Sequence, residues 1–139
     1  MRKDRVALLI KRTSLVIEKL SNQALAPYDL SHTQYKIMMM LYRNPDMSIR
    51  QIDIEEKFSL TNPSVSGIIQ NLEKKGLVRR VQNPEDKRSK LVYLTEKAFA
   101  LKDELDQLGE TLEKKVTEGL SEEECVQLCA LLAKMLEVH

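Results

Sequence analysis

Val6, Leu9, Ile10, Thr13, Val16, Ile17, Leu20 and Ala24 recur at the three- and four-residue spacing of an α-helix. Leu8, Leu15 and Leu25 widen that stripe beyond what one core face needs, so the pattern predicts a first helix that meets more than one partner. Pro27, Tyr28 and Asp29 break it. Ser31 then supplies an N-cap with Gln34 three residues on, and Leu30 and Tyr35 flank the cap as a hydrophobic staple, opening a second helix that runs to about Arg43. Its apolar run IMMML is rich in methionine, which reads as adaptable packing ahead of a ligand wall. Asn44, Pro45 and Asp46 form a turn signal. Ile49, Ile52, Ile54 and Phe58 follow on a short third helix that residues 59–62 end.

A fourth helix starts at once, capped by Thr61 or Asn62, with Pro63 in the first turn where a missing N–H costs little. Val65, Ile68, Ile69 and Leu72 mark its buried face, which leaves Ser64, Ser66, Gly67, Gln70, Asn71 and Lys74 outward. Lys74 and Lys75 suit the negative end of the helix dipole, and Gly76 is placed to take the positive φ of a C-terminal cap. Residues 77–81 and 90–94 read as two short paired strands joined by a charged, turn-rich hairpin, 82–89. Thr95 caps a fifth helix whose Ala98, Leu101, Leu105, Leu108, Leu112 and Val116 form a seam suited to a partner helix. Leu120, Ser121 and Glu124 open a last helix with Leu128, Leu131, Leu132, Met135 and Leu136 on one side.

The composition agrees with a mainly α protein: the 139 residues include only four Gly, four Pro and no Trp, and 42% are hydrophobic. One domain, 1–139, is expected, with no repeat or linker to divide it, although at this size a second subunit can share the core. The basic start is a poor signal peptide, because its apolar run stops at Lys11, and no stretch approaches the ~18 apolar residues of a membrane span. A cytoplasmic protein is expected. Cys125 and Cys129, four apart in a helical pattern, read as free core thiols.

The net charge of +1 conceals a division along the chain. Residues 1–60 carry ten Lys/Arg against seven Asp/Glu, residues 61–94 seven against three, and residues 95–139 five against eleven. A locally basic section beside an acidic one fits a nucleic-acid reader with a separate assembly region.

A short helix, a tight turn, a second helix with small polar outer residues and a two-stranded hairpin make, by order and length, a winged helix-turn-helix. Such a helix fits the major groove, where Gln70 and Asn71 suit adenine N6 and N7 and small Ser64, Ser66 and Gly67 permit close approach. The helix N-terminus, with the Thr61 and Asn62 side chains, can hold a phosphate. Lys87 and Arg88 at the hairpin tip reach toward a minor groove or phosphates. Asp86 is expected to pair with a neighbouring base, Arg88 or Arg80, and orient it.

The residues SVS at 64–66, NLEKKGLV at 71–78, Arg80, the run Asp86-Lys87-Arg88 and the pair Leu94-Thr95 together resemble the MarR family of bacterial transcriptional regulators. The resemblance spans essentially the whole chain. It implies a homodimer built by the first, fifth and sixth helices (1–28 and 95–139) and two winged lobes (32–94) reading a pseudo-palindromic operator. It further implies a repressor released from double-stranded DNA by a small-molecule effector. The recognition role falls on Ser64, Ser66, Gly67, Gln70 and Asn71 and the wing role on Asp86, Lys87 and Arg88. The chain departs from the family at Glu55, where a small Ala is usual, at Arg50, often a capping Ser or Thr, and at Ala98, commonly Gly. It also lacks an N-terminal cysteine, which disfavours the oxidant-sensing branch.

An enzyme would need a nucleophile, an acid–base pair or a metal. The only histidines, His32 and His139, stand far apart, and neither a Gly-rich phosphate loop nor a thiol pair at zinc spacing occurs. No cofactor or metal is expected. The competing class is a winged helix that docks a protein partner without sequence-specific DNA binding. Met38, Met39 and Met40 with Tyr35 and Tyr28 can flank a ligand cavity or simply fill a core, and the sequence does not choose between these.

Overall fold

A computed structural model describes residues 3–44 and 48–139. The order is α1 (Lys3–Leu25), a 3-10 turn (Ala26–Tyr28), α2 (His32–Arg43), β1 (Ser48–Arg50), α3 (Gln51–Phe58), α4 (Asn62–Lys74), β2 (Val78–Asn83), β3 (Asp86–Leu94), α5 (Glu96–Val116) and α6 (Glu122–Glu137). Pro45 and Asp46 of the expected turn lie outside the described residues.

The helix boundaries follow capping chemistry. The Ser31 hydroxyl accepts from the Gln34 N–H while the Gln34 side chain accepts from the Ser31 N–H, and Ser121 and Glu124 repeat this reciprocal box at the start of α6. At the end of α4 the Leu77 N–H reaches the Leu72 carbonyl at 3.0 Å and the Gly76 N–H the Glu73 carbonyl at 2.9 Å. This double closure needs a left-handed residue, and Gly76 supplies it with φ of 74°.

Two sequence expectations change here. Ile49 belongs to β1 and not to the third helix: it pairs with Val92, making an antiparallel sheet of order β1-β3-β2, and is buried. The free edge of β3 recruits Ser48–Arg50 because its backbone groups need partners. The wing strands also extend further than their apolar residues suggest, to an Asn83–Asp86 pair, so only Pro84 and Glu85 form the turn. Polar side chains carry the ladder there. Gln82 Nε2 donates to the Lys87 carbonyl at 2.7 Å, Asn83 Nδ2 to Ser89 Oγ at 3.1 Å, and Asn83 Oδ1 accepts from the Glu85 N–H at 3.0 Å.

Ile37, Met38 and Leu41 of α2, Ile54 of α3, Val65, Ile69 and Leu72 of α4 and the sheet residues Val78 and Val92 form one core. Ala98 and Leu105 bring α5 onto it, and the buried Tyr42 hydroxyl donates to the Ala98 carbonyl. Burial pushes the Tyr42 phenol up to about 12, so it stays a neutral donor. The apolar stripe of α1 is different. Leu8, Leu9, Leu15 and Val16 are all more than half exposed, and no residue of α6 is buried, with Leu131 at 61% and Leu136 at 76% exposure. The two cysteines share that fate: Cys125 is half-buried and Cys129 exposed, against the expectation of core thiols.

Candidate nucleic-acid interface

Helix α4 is seated by its buried face and started by Thr61, whose Oγ1 accepts the Ser64 N–H at 3.3 Å and donates to Ser64 Oγ at 2.9 Å. Ser59, with φ of 52°, turns the chain between α3 and α4. Asn62 is the first helical residue, not the cap, and its Nδ2 donates to the Glu55 carboxylate at 3.0 Å. Asn62, Ser64, Gly67 and Gln70 are exposed. A Cβ built at Gly67 would meet no atom within 4 Å, so nothing within the chain demands a glycine there.

Ser66 and Asn71, the latter exposed on the outer face of α4, both make hydrogen bonds within the chain. Ser66 is half-buried and its hydroxyl accepts from Arg80 Nη1 at 3.0 Å, so it faces the base of the wing. Asn71 turns its carbonyl back to α2, where Gln34 Nε2 donates to it at 2.7 Å. The buried Gln34 thereby serves both ends: its Oε1 accepts from the Ser31 N–H at 3.0 Å and from Lys75 Nζ at 3.1 Å. Reading Gln34 only as a capping residue missed this bridge from α2 to α4.

Arg80 does not pair with Asp86. Its Nε donates to Glu73 at 3.0 Å, and Nη1 also reaches the buried Gln51 Oε1 at 3.4 Å. The strand register explains why: Arg80 stands opposite Val92, six residues along β3 from Asp86, a separation of roughly 20 Å. Arg80, only 16% exposed, is the strut that fixes β2 to α4 and α3. Asp86 instead accepts the Arg88 N–H at 3.0 Å and lies 3.6 Å from Arg88 Nε. Lys87 and Arg88 are exposed on the first residues of β3 beside the turn, rather than in a loop.

At the start of α3, Arg50 has no capping hydroxyl. Its N–H and guanidinium both bind Asp53, at 3.1 Å for the backbone and 2.8 Å for Nη2, and this contact holds the Asp53 carboxyl below its ordinary range.

The sequence model of the MarR family matches residues 30–90, the stretch from the α2 cap through the wing tip. The whole chain is also similar in structure to proteins solved with DNA. A complex of S. aureus MepR with DNA matches with a TM-score of 0.84 at 29% identity, covering 96% of this chain and 97% of that one. A mutant MarR from E. coli complexed with operator DNA matches with a TM-score of 0.84 at 28% identity, covering 95% and 94%. The chain has the fold of the MarR-family regulators, and its residues 30–90 carry the family's sequence pattern. That fold is the winged helix of transcriptional regulators, and these two matches were solved bound to DNA. A MarR-family protein from Methanosarcina mazei Go1, at 21% identity, shares the fold with a TM-score of 0.88.

The chain is mostly helical, and recesses lie among its helices. Between α1 and α6 a groove of about 950 Å³ is lined by apolar residues including Leu9, Ile10, Leu131 and Met135. A second cavity, of about 440 Å³, lies among α1, α2, α3 and α5. Met39, Met40, Tyr35 and Phe58 line it together with Lys36 and Arg43, whereas Met38 is fully buried in the core and Tyr28 stands outside. Gly109 of α5 lets Tyr35 close in, since a Cβ there would stand 2.5 Å from the Tyr35 hydroxyl. His32, at the first turn of α2, ties the lobe to α1: its N–H donates to Asn22 Oδ1 at 2.7 Å and its Nδ1 contacts Ser21 Oγ at 2.7 Å. Among the described residues no group of three or more His, Cys, Asp or Glu side chains is placed to hold a metal. No described helix is long and apolar enough to cross a membrane.

Proposed function

We propose that this protein is a homodimeric repressor of the MarR family that binds a pseudo-palindromic DNA operator in the cytoplasm and releases it when a small molecule binds. Each winged lobe, residues 32–94, places α4 in the major groove. Ser64, Gly67 and Gln70 then face the bases, Asn71 and Ser66 support them from the edge, and Thr61 and Asn62 stand where the helix enters. The wing sets Lys87 and Arg88 against a minor groove or phosphates, with Asp86 restraining Arg88. The observation that carries this reading is the outward face of α4: small, polar, built around a Gly67 that no intramolecular contact requires, and flanked by the basic wing.

The dimer is carried by residues 1–28 and 95–139. The unburied apolar faces of α1 and α6 support it, since exposed apolar area on this scale is uncommon in a monomer. The cavity of about 440 Å³ between the lobe and these helices is the effector site, sized for a small ligand. An effector acts there only by favouring the arrangement that does not bind DNA, because equal affinity for both shifts nothing.

Duplex binding measured against salt tests the central claim. Affinity falls steeply as salt rises, and Arg88→Ala lowers the magnitude of the log–log slope by about 1 if the guanidinium neutralises one phosphate. A flat salt response defeats this reading in favour of a protein-docking wing.

A further inference from the structure

Glu55 is an acid at the mouth of a helix expected to face DNA, and its partner there is informative. A carboxylate only accepts hydrogen bonds, so the Asn62 atom 3.0 Å from it is the amide nitrogen on chemical grounds, and Asn62 Oδ1 points elsewhere. The Thr61 hydroxyl is already spent on Ser64, as cap acceptor and as donor. Asn62, which is exposed, therefore offers one acceptor, Oδ1, and the second N–H of its amide.

Those two groups are what the major-groove edge of adenine requires: its N6 amino donates to an amide oxygen and its N7 accepts from an amide N–H. A phosphate has no use for the acceptor and would have to approach the Glu55 charge, which repels it. Cytosine presents an amino donor without a neighbouring acceptor and satisfies half of the pair.

We propose that Asn62, held by Glu55, is a specificity-determining residue that reads a base amino group in the major groove, with adenine as its two-point match, and is not a phosphate anchor. The proposal rests on α4 being the groove-facing helix. Glu55 acts as the positioning residue. Its charge lowers the overall attraction for DNA and fixes the orientation of the reading amide.

The test begins by selecting duplexes from a randomised pool with the wild-type dimer. Each adenine of the selected half-site is then replaced in turn by 7-deazaadenine, which lacks N7, and by purine, which lacks the N6 amino group. One adenine per half-site should lose roughly 5- to 150-fold in wild-type affinity on replacement and lose almost nothing in N62A. N62D, isosteric but acceptor-only, should also lose the preference; its carboxylate is favoured at a helix start and opposed by Glu55, so its melting temperature is measured alongside. E55Q keeps an oxygen that accepts from Asn62 and should retain the preference. E55A should flatten it while affinity for unrelated duplexes holds or rises, a split that a purely structural role would not produce. Equal loss by N62A on every duplex would establish a phosphate anchor and overturn the proposal, as would an undiminished preference in E55A. A wild-type protein that selects no sequence removes the DNA reading itself, whereas selection that is indifferent to Asn62 removes only this inference.

Discussion

Gly67→Ala separates folding from function at a single methyl group. Gly67 lies within α4, between Ser66 and Ile68, and a Cβ there meets nothing within 4 Å. Alanine in an exposed helix interior is worth about 0.5–1 kcal/mol over glycine, because the glycine chain loses more backbone entropy on folding. With no neighbour to push against, that gain is realised in full, and for a chain of this length it raises the melting temperature by about 2–4 °C. The same methyl stands between the helix backbone and the DNA. Forcing an extra methyl into a packed contact costs about 1–3 kcal/mol, which is roughly 5- to 150-fold in affinity per half-site. Denaturant melts and duplex titrations at one salt concentration give both numbers. A variant that is less stable than wild type refutes the account of α4 as unobstructed at Gly67, and one that is more stable yet binds its selected duplex unchanged refutes close approach at this face.

Arg80→Ala removes the strut between β2, α4 and α3 and should cost about 1–3 kcal/mol of stability while weakening binding to all duplexes alike; selective loss at one base pair would instead make Arg80 a reader. Leu131→Glu, on the exposed face of α6, should halve the mass seen by sedimentation at micromolar concentration without unfolding the winged lobe, and an unchanged dimer mass would place the interface elsewhere. His32 has its pKa lowered, first by burial and then by Lys36, with Glu18 opposing. A folded-state pKa below the unfolded value of about 6.5 means the unfolded chain binds the proton more readily, so stability is full above that range and declines as pH falls through it. Melts between pH 8 and 5 should show this decline, and His32→Gln should flatten it; an equal slope in the variant assigns the effect to other groups.

The caps were readable because a cap is a local device. Ser31 with Gln34, Thr61 with Ser64, Gly76 after Lys75 and Ser121 with Glu124 each close within a few residues, so the local sequence names both partners. The buried face of α4 was equally legible from its spacing, and so was the family resemblance, through the run from Asn71 to Val78 and the Asp86-Lys87-Arg88 wing. The wing tip is polar like a loop, yet it is strand, because Gln82 and Asn83 use their amides to prolong the ladder. Ile49 fitted a helical spacing, and nothing nearby announces that Val92 waits for it across the sheet.

Element order, helix starts and stops, the unshared apolar stripe of α1 and the basic wing were thus determined by the sequence alone, because each depends on residues within a turn or two of one another. Which partners the long polar side chains take was decided only by the tertiary structure. Charge alone offered Asp86 both Arg88 and Arg80, and the strand register carried Arg80 to Glu73, Ser66 and Gln51 and away from Asp86. Asn71, although exposed, accepts from Gln34, and Asn62 donates to Glu55 across a turn whose shape depends on the left-handed Ser59. A hydrogen bond is short and directional, so its partner is chosen by the final packing of the helices, which no single stretch of chain contains.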